Sequence, residues 1–146
     1  MPTPRKTRNQ CRNCGHLVSR RPKVYCNSKC QMDYQYNQFI KQWIDRRIEG
    51  GRIGGVSSYI RRYLLETQGE QCSICNWQEK NTVTGKVPLE VDHIDGNYRH
   101  NSPENVRLIC PNCHSLTPTF RGLNKGNGRE MRRTRLLSTT VSTVVL

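Results

Sequence analysis

The sequence predicts a small α+β protein whose interior is held by metal rather than by apolar bulk. Three observations carry that expectation. Only 34% of the 146 residues are hydrophobic and mean hydropathy is -0.81, too little for a large apolar core. Eight cysteines fall in four close pairs, Cys11/Cys14, Cys26/Cys30, Cys72/Cys75 and Cys110/Cys113. Segments with helical periodicity precede two short apolar runs that read as strands.

Taken in chain order, residues 1–10 are basic and proline-containing, and are expected to order only on an anion. Cys11-Arg-Asn-Cys14-Gly15 reads as a zinc knuckle whose second half is Cys26-Asn-Ser-Lys-Cys30. Those cysteines open a helix in which Tyr36, Phe39, Ile40, Trp43 and Ile44 form one apolar stripe, read as core packing. Gly50-Gly51 and Gly54-Gly55 read as a helix stop and linker. A second helix runs from a Ser57 cap to about Thr67, buries Tyr59, Ile60, Tyr63 and Leu64, and ends at Gly69. Val87–Val91 reads as an edge strand, because Pro88 cannot donate to a ladder. A polar loop follows from Asp95, then a strand over Val106–Ile109, then a short helix with Pro111 in its first turn. The uncharged C-terminal stretch LSTTVSTVVL shows no periodicity.

The cysteine pairs point to zinc ahead of disulfides. No secretory leader or run of roughly 18 apolar residues routes the chain to an oxidising compartment or a membrane. A cytoplasmic setting is the expectation. Lys and Arg total 24 against 11 Asp and Glu, a net charge of +13, which implies a polyanionic partner, most simply nucleic acid. The charge is unevenly spread: net +11 over residues 1–62, -3 over 63–120 and +5 over 121–146. An acidic centre between basic flanks suits a site that holds a divalent cation beside a phosphate.

Within that centre stands VDHIDGNYRHNSPENVRLICPNCHS, with Asp92-His93, Asn105 and Cys110-Pro-Asn-Cys113-His114 in order. This stretch resembles the ββα-metal core of the HNH endonucleases with paired CxxC knuckles, over about residues 70–120. The whole chain more loosely resembles small bacteriophage HNH endonucleases of the homing type. The resemblance implies a metal-dependent endonuclease on double-stranded DNA, cutting by a one-metal mechanism in the cytoplasm of a bacterial host. It implies Asp92 and His114 as ligands of one catalytic divalent ion (magnesium, manganese or a similar transition metal). It further implies His93 as general base, and Asn105 as the middle residue that holds the loop and orients the base.

The residue chemistry agrees in part. Imidazole titrates near neutrality and suits proton removal from water, and a carboxylate is a hard oxygen donor. Adjacent strand residues point to opposite faces, so Asp92 and His93 share a site only if the strand ends there. Asn97 and Asn101 compete with Asn105 for the middle role. His100 is a solvated loop residue or an auxiliary DNA contact, and Glu104 is read as solvated. In the resemblance, Cys72, Cys75, Cys110 and Cys113 clamp strands and helix around one structural zinc, and Cys11, Cys14, Cys26 and Cys30 hold a second. Phosphate contacts are expected from Arg5, Lys6, Arg8, Arg20, Arg21, Arg61, Arg62, Arg132, Arg133 and Arg135. Residues 1–55 are then a DNA-docking knuckle and helix, 56–120 the catalytic core, and 121–146 a basic tail. The rival reading is a non-catalytic zinc-dependent DNA-binding or regulatory protein that retains the core.

Overall fold

A computed structural model describes residues 9–18, 23–52 and 55–127. They fall into two units that divide between Arg47 and Ile48. The expected boundary after residue 55 therefore moves forward. Gly51–Arg52 (β1) and Gly55–Val56 (β2) pair antiparallel, and Ser57 N donates to Gly50 O. The glycine-rich stretch is a ribbon of the second unit and not a linker ending the first.

In the first unit the knuckle is a tight turn. Cys11 N donates to His16 O, Gly15 N donates to Cys11 O, and Gly15 takes φ +75°, a conformation glycine adopts without a Cβ clash. Helix α1 (Ser28–Ile44) starts where the Asn27 side chain accepts from Cys30 N at 2.9 Å, a standard N-cap economy of an orphan donor. Tyr36, Ile40 and Trp43 are buried as the stripe predicts, beside a core that includes Val18 and Cys11. Ile44 departs from the stripe and is 46% exposed, because the helix ends there and Asp45 caps it.

In the second unit, α2 (Ser58–Gln68) is bounded by a Ser57 N-cap and a left-handed Gly69 C-cap, and it buries Ile60 and Leu64. Two strands follow, β3 (Glu90–His93) and β4 (Val106–Ile109). They pair antiparallel with Glu90 opposite Ile109, Val91 opposite Leu108, Asp92 opposite Arg107 and His93 opposite Val106. Helix α2 packs on β4 and α3 (Pro111–Ser115) packs on β3. The Gln68 side chain closes the open edge of β4 by accepting from Leu108 N at 2.9 Å. Ile60, Leu64, Val87, Leu89, Val106, Leu108 and Ile109 make the core. The first strand begins three residues later than its expected start. Val87 and Leu89 are buried, yet Leu89 N donates to Val87 O in a tight turn, and Leu89 O accepts from Arg61 Nη2. Burial gave these residues a strand-like pattern without a ladder. Among the described residues no helix is long and apolar enough to cross a membrane.

Candidate active site

The eight cysteines are all free thiols, and their sulfurs gather as two sets of four. These are Cys11, Cys14, Cys26 and Cys30, and Cys72, Cys75, Cys110 and Cys113, with the ligand atoms of each set within 4.8 Å of one another. The Cys14 sulfur lies 3.5 Å from Cys26 and 3.8 Å from Cys30, and Cys75 lies 3.8 Å from Cys110. A tetrahedral zinc with bonds of about 2.3 Å spaces its sulfurs about 3.8 Å apart, whereas a disulfide needs about 2 Å. The donor geometry fits zinc.

The second set repeats the turn of the first. Cys72 N donates to Trp77 O, Asn76 N donates to Cys72 O, and Asn76 stands at φ +59° where the first knuckle has glycine. Burial opposes ionisation of Cys72, but the backbone N–H groups of Cys75, Cys110 and Ile74 turned on its sulfur prevail and draw its pKa down to about 6. Cys11 is brought to about 6 in the same way, by the N–H groups of Cys14, Cys26 and Asn13. Both turns thus aim backbone dipoles at the sulfur that must carry charge to hold a cation.

The second clamp joins the Cys72–Cys75 turn to the end of β4 and the start of α3, and so fixes the helix that carries His114. Along β3, Glu90 and Asp92 share one face and Val91 and His93 the other. Asp92 is buried, and its Oδ2 accepts from Arg107 Nε at 2.9 Å across the ladder. His114 projects from α3 and bonds Glu90 Oε2 through Nδ1, which leaves Nε2 as the nitrogen it can offer a cation. The ring of Phe120 stands edge-on to His114 at 5.3 Å. Asp92 and Glu90 therefore face the side of β3 from which His114 approaches. Among the described residues only the two cysteine sets bring three or more metal-binding side chains together. A cation on Asp92 and His114 would complete its shell from water or phosphate, as magnesium commonly does.

His93 is the last residue of β3, where the ladder stops and Gly96 N turns back onto His93 O. Paired opposite Val106 in the ladder, it lies on the strand face opposite that of Asp92. Its Nε2 lies 2.9 Å from Asn101 Oδ1, and Asn101 is itself oriented by donating from Nδ2 to Arg99 O at 3.0 Å. The amide oxygen therefore faces the imidazole, Nε2–H donates, and Nδ1 keeps the basic lone pair. Asn101 is buried, with Gly51 of β1 so close that a Cβ there would sit 3.0 Å from its Nδ2.

Asn105 is buried and ties the loop together. Its Nδ2 donates to Asp95 Oδ1 at 2.8 Å and His100 O at 2.7 Å, and its Oδ1 accepts from Asp95 N at 3.1 Å. His100 bonds Asp95 Oδ2 through Nδ1 at 2.6 Å and Ser102 Oγ through Nε2 at 3.0 Å. Burial pushes the Asp95 carboxyl up, but the bonds from His100, Asn105 and Asn97 N outweigh it and hold its pKa at about 2. The three competing asparagines thus divide the work: Asn105 braces the loop, Asn101 holds the imidazole, and Asn97 shapes the turn by accepting from Arg99 N at 3.1 Å.

Of the expected phosphate contacts, Arg61 is half-buried and engaged on Leu89 O at 2.8 Å, and Arg62 pairs with Glu66 at 2.7 Å. Arg5, Lys6, Arg8, Arg20, Arg21, Arg132, Arg133 and Arg135 lie outside the described residues. Sequence reasoning assigned no role to Glu90, Phe120 or Asn124. Only Glu90 carried a signal, being two residues before Asp92 and so on its face of the strand.

A strand-end histidine, a carboxylate on the neighbouring strand position, a loop-bracing asparagine and a helix-borne histidine thus occur together with the four cysteines of the second clamp in one unit. Residues 72–117 match the family model for HNH endonuclease, a span that contains all four of those residues and the whole second clamp. Over that span the chain is similar to HNH endonucleases. It is 38% identical over 102 residues to the H-N-H endonuclease F-TflIV of Escherichia phage T5, across 66% of this chain and 41% of that protein. The chain thus spans about two fifths of the length of that relative. No solved structure matches.

Proposed function

We propose that this chain is a phage-encoded, homing-like endonuclease that hydrolyses phosphodiester bonds of double-stranded DNA. The observation that carries the reading is the end of β3. There His93 is held by Asn101 with Nδ1 left basic, one residue from a buried carboxylate. In this reading His93 takes a proton from the attacking water. Asp92 and His114 hold the divalent ion, which when bound neutralises charge on the phosphate and leaving oxygens. Arg107 aims the Asp92 carboxylate, and Glu90 fixes the His114 ring so that Nε2 faces outward, as carboxylates commonly do for metal-binding imidazoles. Asn105 maintains the loop that delivers Asn101 to the base. Two zincs in the cysteine clamps are structural, and the basic segments on either side of the acidic centre supply DNA affinity through phosphate contacts.

The test is incubation of full-length protein with supercoiled plasmid, with magnesium or manganese and with EDTA. Strand scission that needs the divalent ion, and that Asp92→Ala abolishes, supports the reading. Binding without scission across a metal titration would favour the non-catalytic DNA-binding alternative.

A further inference from the structure

We infer that Arg121 binds a DNA phosphate beside the one that is cleaved. This rests on the nuclease reading above and adds a substrate contact to it. The segment from Thr117 to Asn124 is fastened to both halves of the site. At one end Thr117 is buried, and its N and Oγ1 both donate to His114 O, at 3.1 and 2.9 Å. At the other end Asn124 Nδ2 donates to Gly96 O at 2.7 Å, in the turn that follows His93. The fit at that turn is tight. A Cβ on Gly96 would stand 2.6 Å from Thr119 Cγ2 and 2.7 Å from Asn124 Oδ1. The segment therefore belongs to the core, although the sequence placed residues from 121 onward in a basic tail.

Arg121 sits at the exposed crest of this strap with φ +47°. A non-glycine residue in the left-handed region costs energy that the surrounding structure must offset. What the strained backbone achieves is a placement. The guanidinium carbon lies 4.9 Å from the centroid of the Phe120 ring, and that ring stands 5.3 Å from the His114 ring. Arg121 therefore lies within about 10 Å of His114, or two to three nucleotides along a strand at roughly 3.4 Å of rise each.

Among other described arginines of the second unit, Arg107 is engaged on Asp92, Arg61 on Leu89 O, Arg62 on Glu66 and Arg99 on the Tyr98 hydroxyl. No carboxylate among the described residues pairs with Arg121. An exposed, planar cation preset on an aromatic face beside a net-negative centre is suited to one phosphate. A lysine would supply the charge there without the stacked plane.

The experiment uses full-length protein and a short duplex built around a site mapped by plasmid cleavage. Single phosphates flanking the cut are replaced in turn by neutral methylphosphonates. Arg121→Ala is expected to raise KM about tenfold, to lower the salt slope of binding by about one phosphate contact, and to leave zinc content intact. Arg121→Lys should recover part of the loss. One methylphosphonate within three nucleotides of the cut should weaken wild-type binding and have no further effect on Arg121→Ala. If that substitution weakens both proteins equally at every position, or KM is unchanged in Arg121→Ala, Arg121 is not a phosphate contact. Failure of wild-type protein to cut any DNA would instead overturn the nuclease reading, and this inference with it.

Discussion

Asn105→Ala removes the brace of the loop that follows β3, and the structure sets the size of the effect. The side chain makes three hydrogen bonds: one donated to the ionised Asp95 carboxylate, one donated to His100 O and one accepted from Asp95 N. A bond to a charged group contributes about 1.5–3 kcal/mol and a neutral one about 1 kcal/mol. Asp95 and His100 side chains are 41% and 48% exposed, so water can replace part of what is lost, and about 2–4 kcal/mol is the expected cost. Urea denaturation at fixed free zinc measures it. With a slope near 1.5 kcal/mol per molar, the midpoint should fall by about 2 M. Asn105→Asp should be at least as harmful, because it turns two donors into a carboxylate that faces Asp95 and a carbonyl. A midpoint shift under about 0.3 M for Asn105→Ala, or a fully stable Asn105→Asp, would refute the brace.

Three further outcomes follow from the geometry. Elemental analysis of protein purified without added metal should find about two zincs per chain, and Cys72→Ser should keep one, since each four-sulfur set is a complete tetrahedral site. Gly96→Ala places a Cβ against Thr119 and Asn124 at φ +76°, and should lower the melting temperature by about 5 °C or more. The Asp95 carboxyl is held at about 2, below its ordinary value of 3.8. A depressed folded pKa gives stability that is present above the unfolded pKa and lost as pH falls through the folded one. The stability gap between wild type and Asp95→Asn should therefore narrow steadily as pH falls below about 4, as read from denaturation midpoints at matched zinc.

What was legible in the sequence was local. Ser57 and Gly69 bounded α2 because a hydroxyl cap and a left-handed glycine are signals within one turn of the helix. The four cysteine pairs marked both clamps because each knuckle is a six-residue turn. β4 was found because Val106, Leu108 and Ile109 are apolar and uninterrupted by proline. The start of β3 was misplaced because Val87 and Leu89 are buried without pairing, and burial alone mimics a strand. The contacts that finish the site span the chain: Glu90 reaches His114, Asn124 reaches Gly96, and Gly51 packs on Asn101. No periodicity records such pairs. Asn101 and Asn105 could not be told apart by spacing, since only the folded loop decides which amide meets the imidazole. Arg61 was read as a phosphate contact because it would face away from much of the buried stripe. Its actual partner, Leu89 O, comes from a turn 28 residues later.

The proposed nuclease chemistry turns on His93 acting as the base. Single-turnover cleavage of a plasmid by wild type and His93→Ala, at saturating protein and divalent ion, tests it most directly when zinc content and DNA binding are measured on the same samples. His93→Ala is expected to bind DNA and both zincs as wild type does and to cleave about a hundredfold more slowly or worse. Cleavage by His93→Ala at the wild-type rate would contradict it.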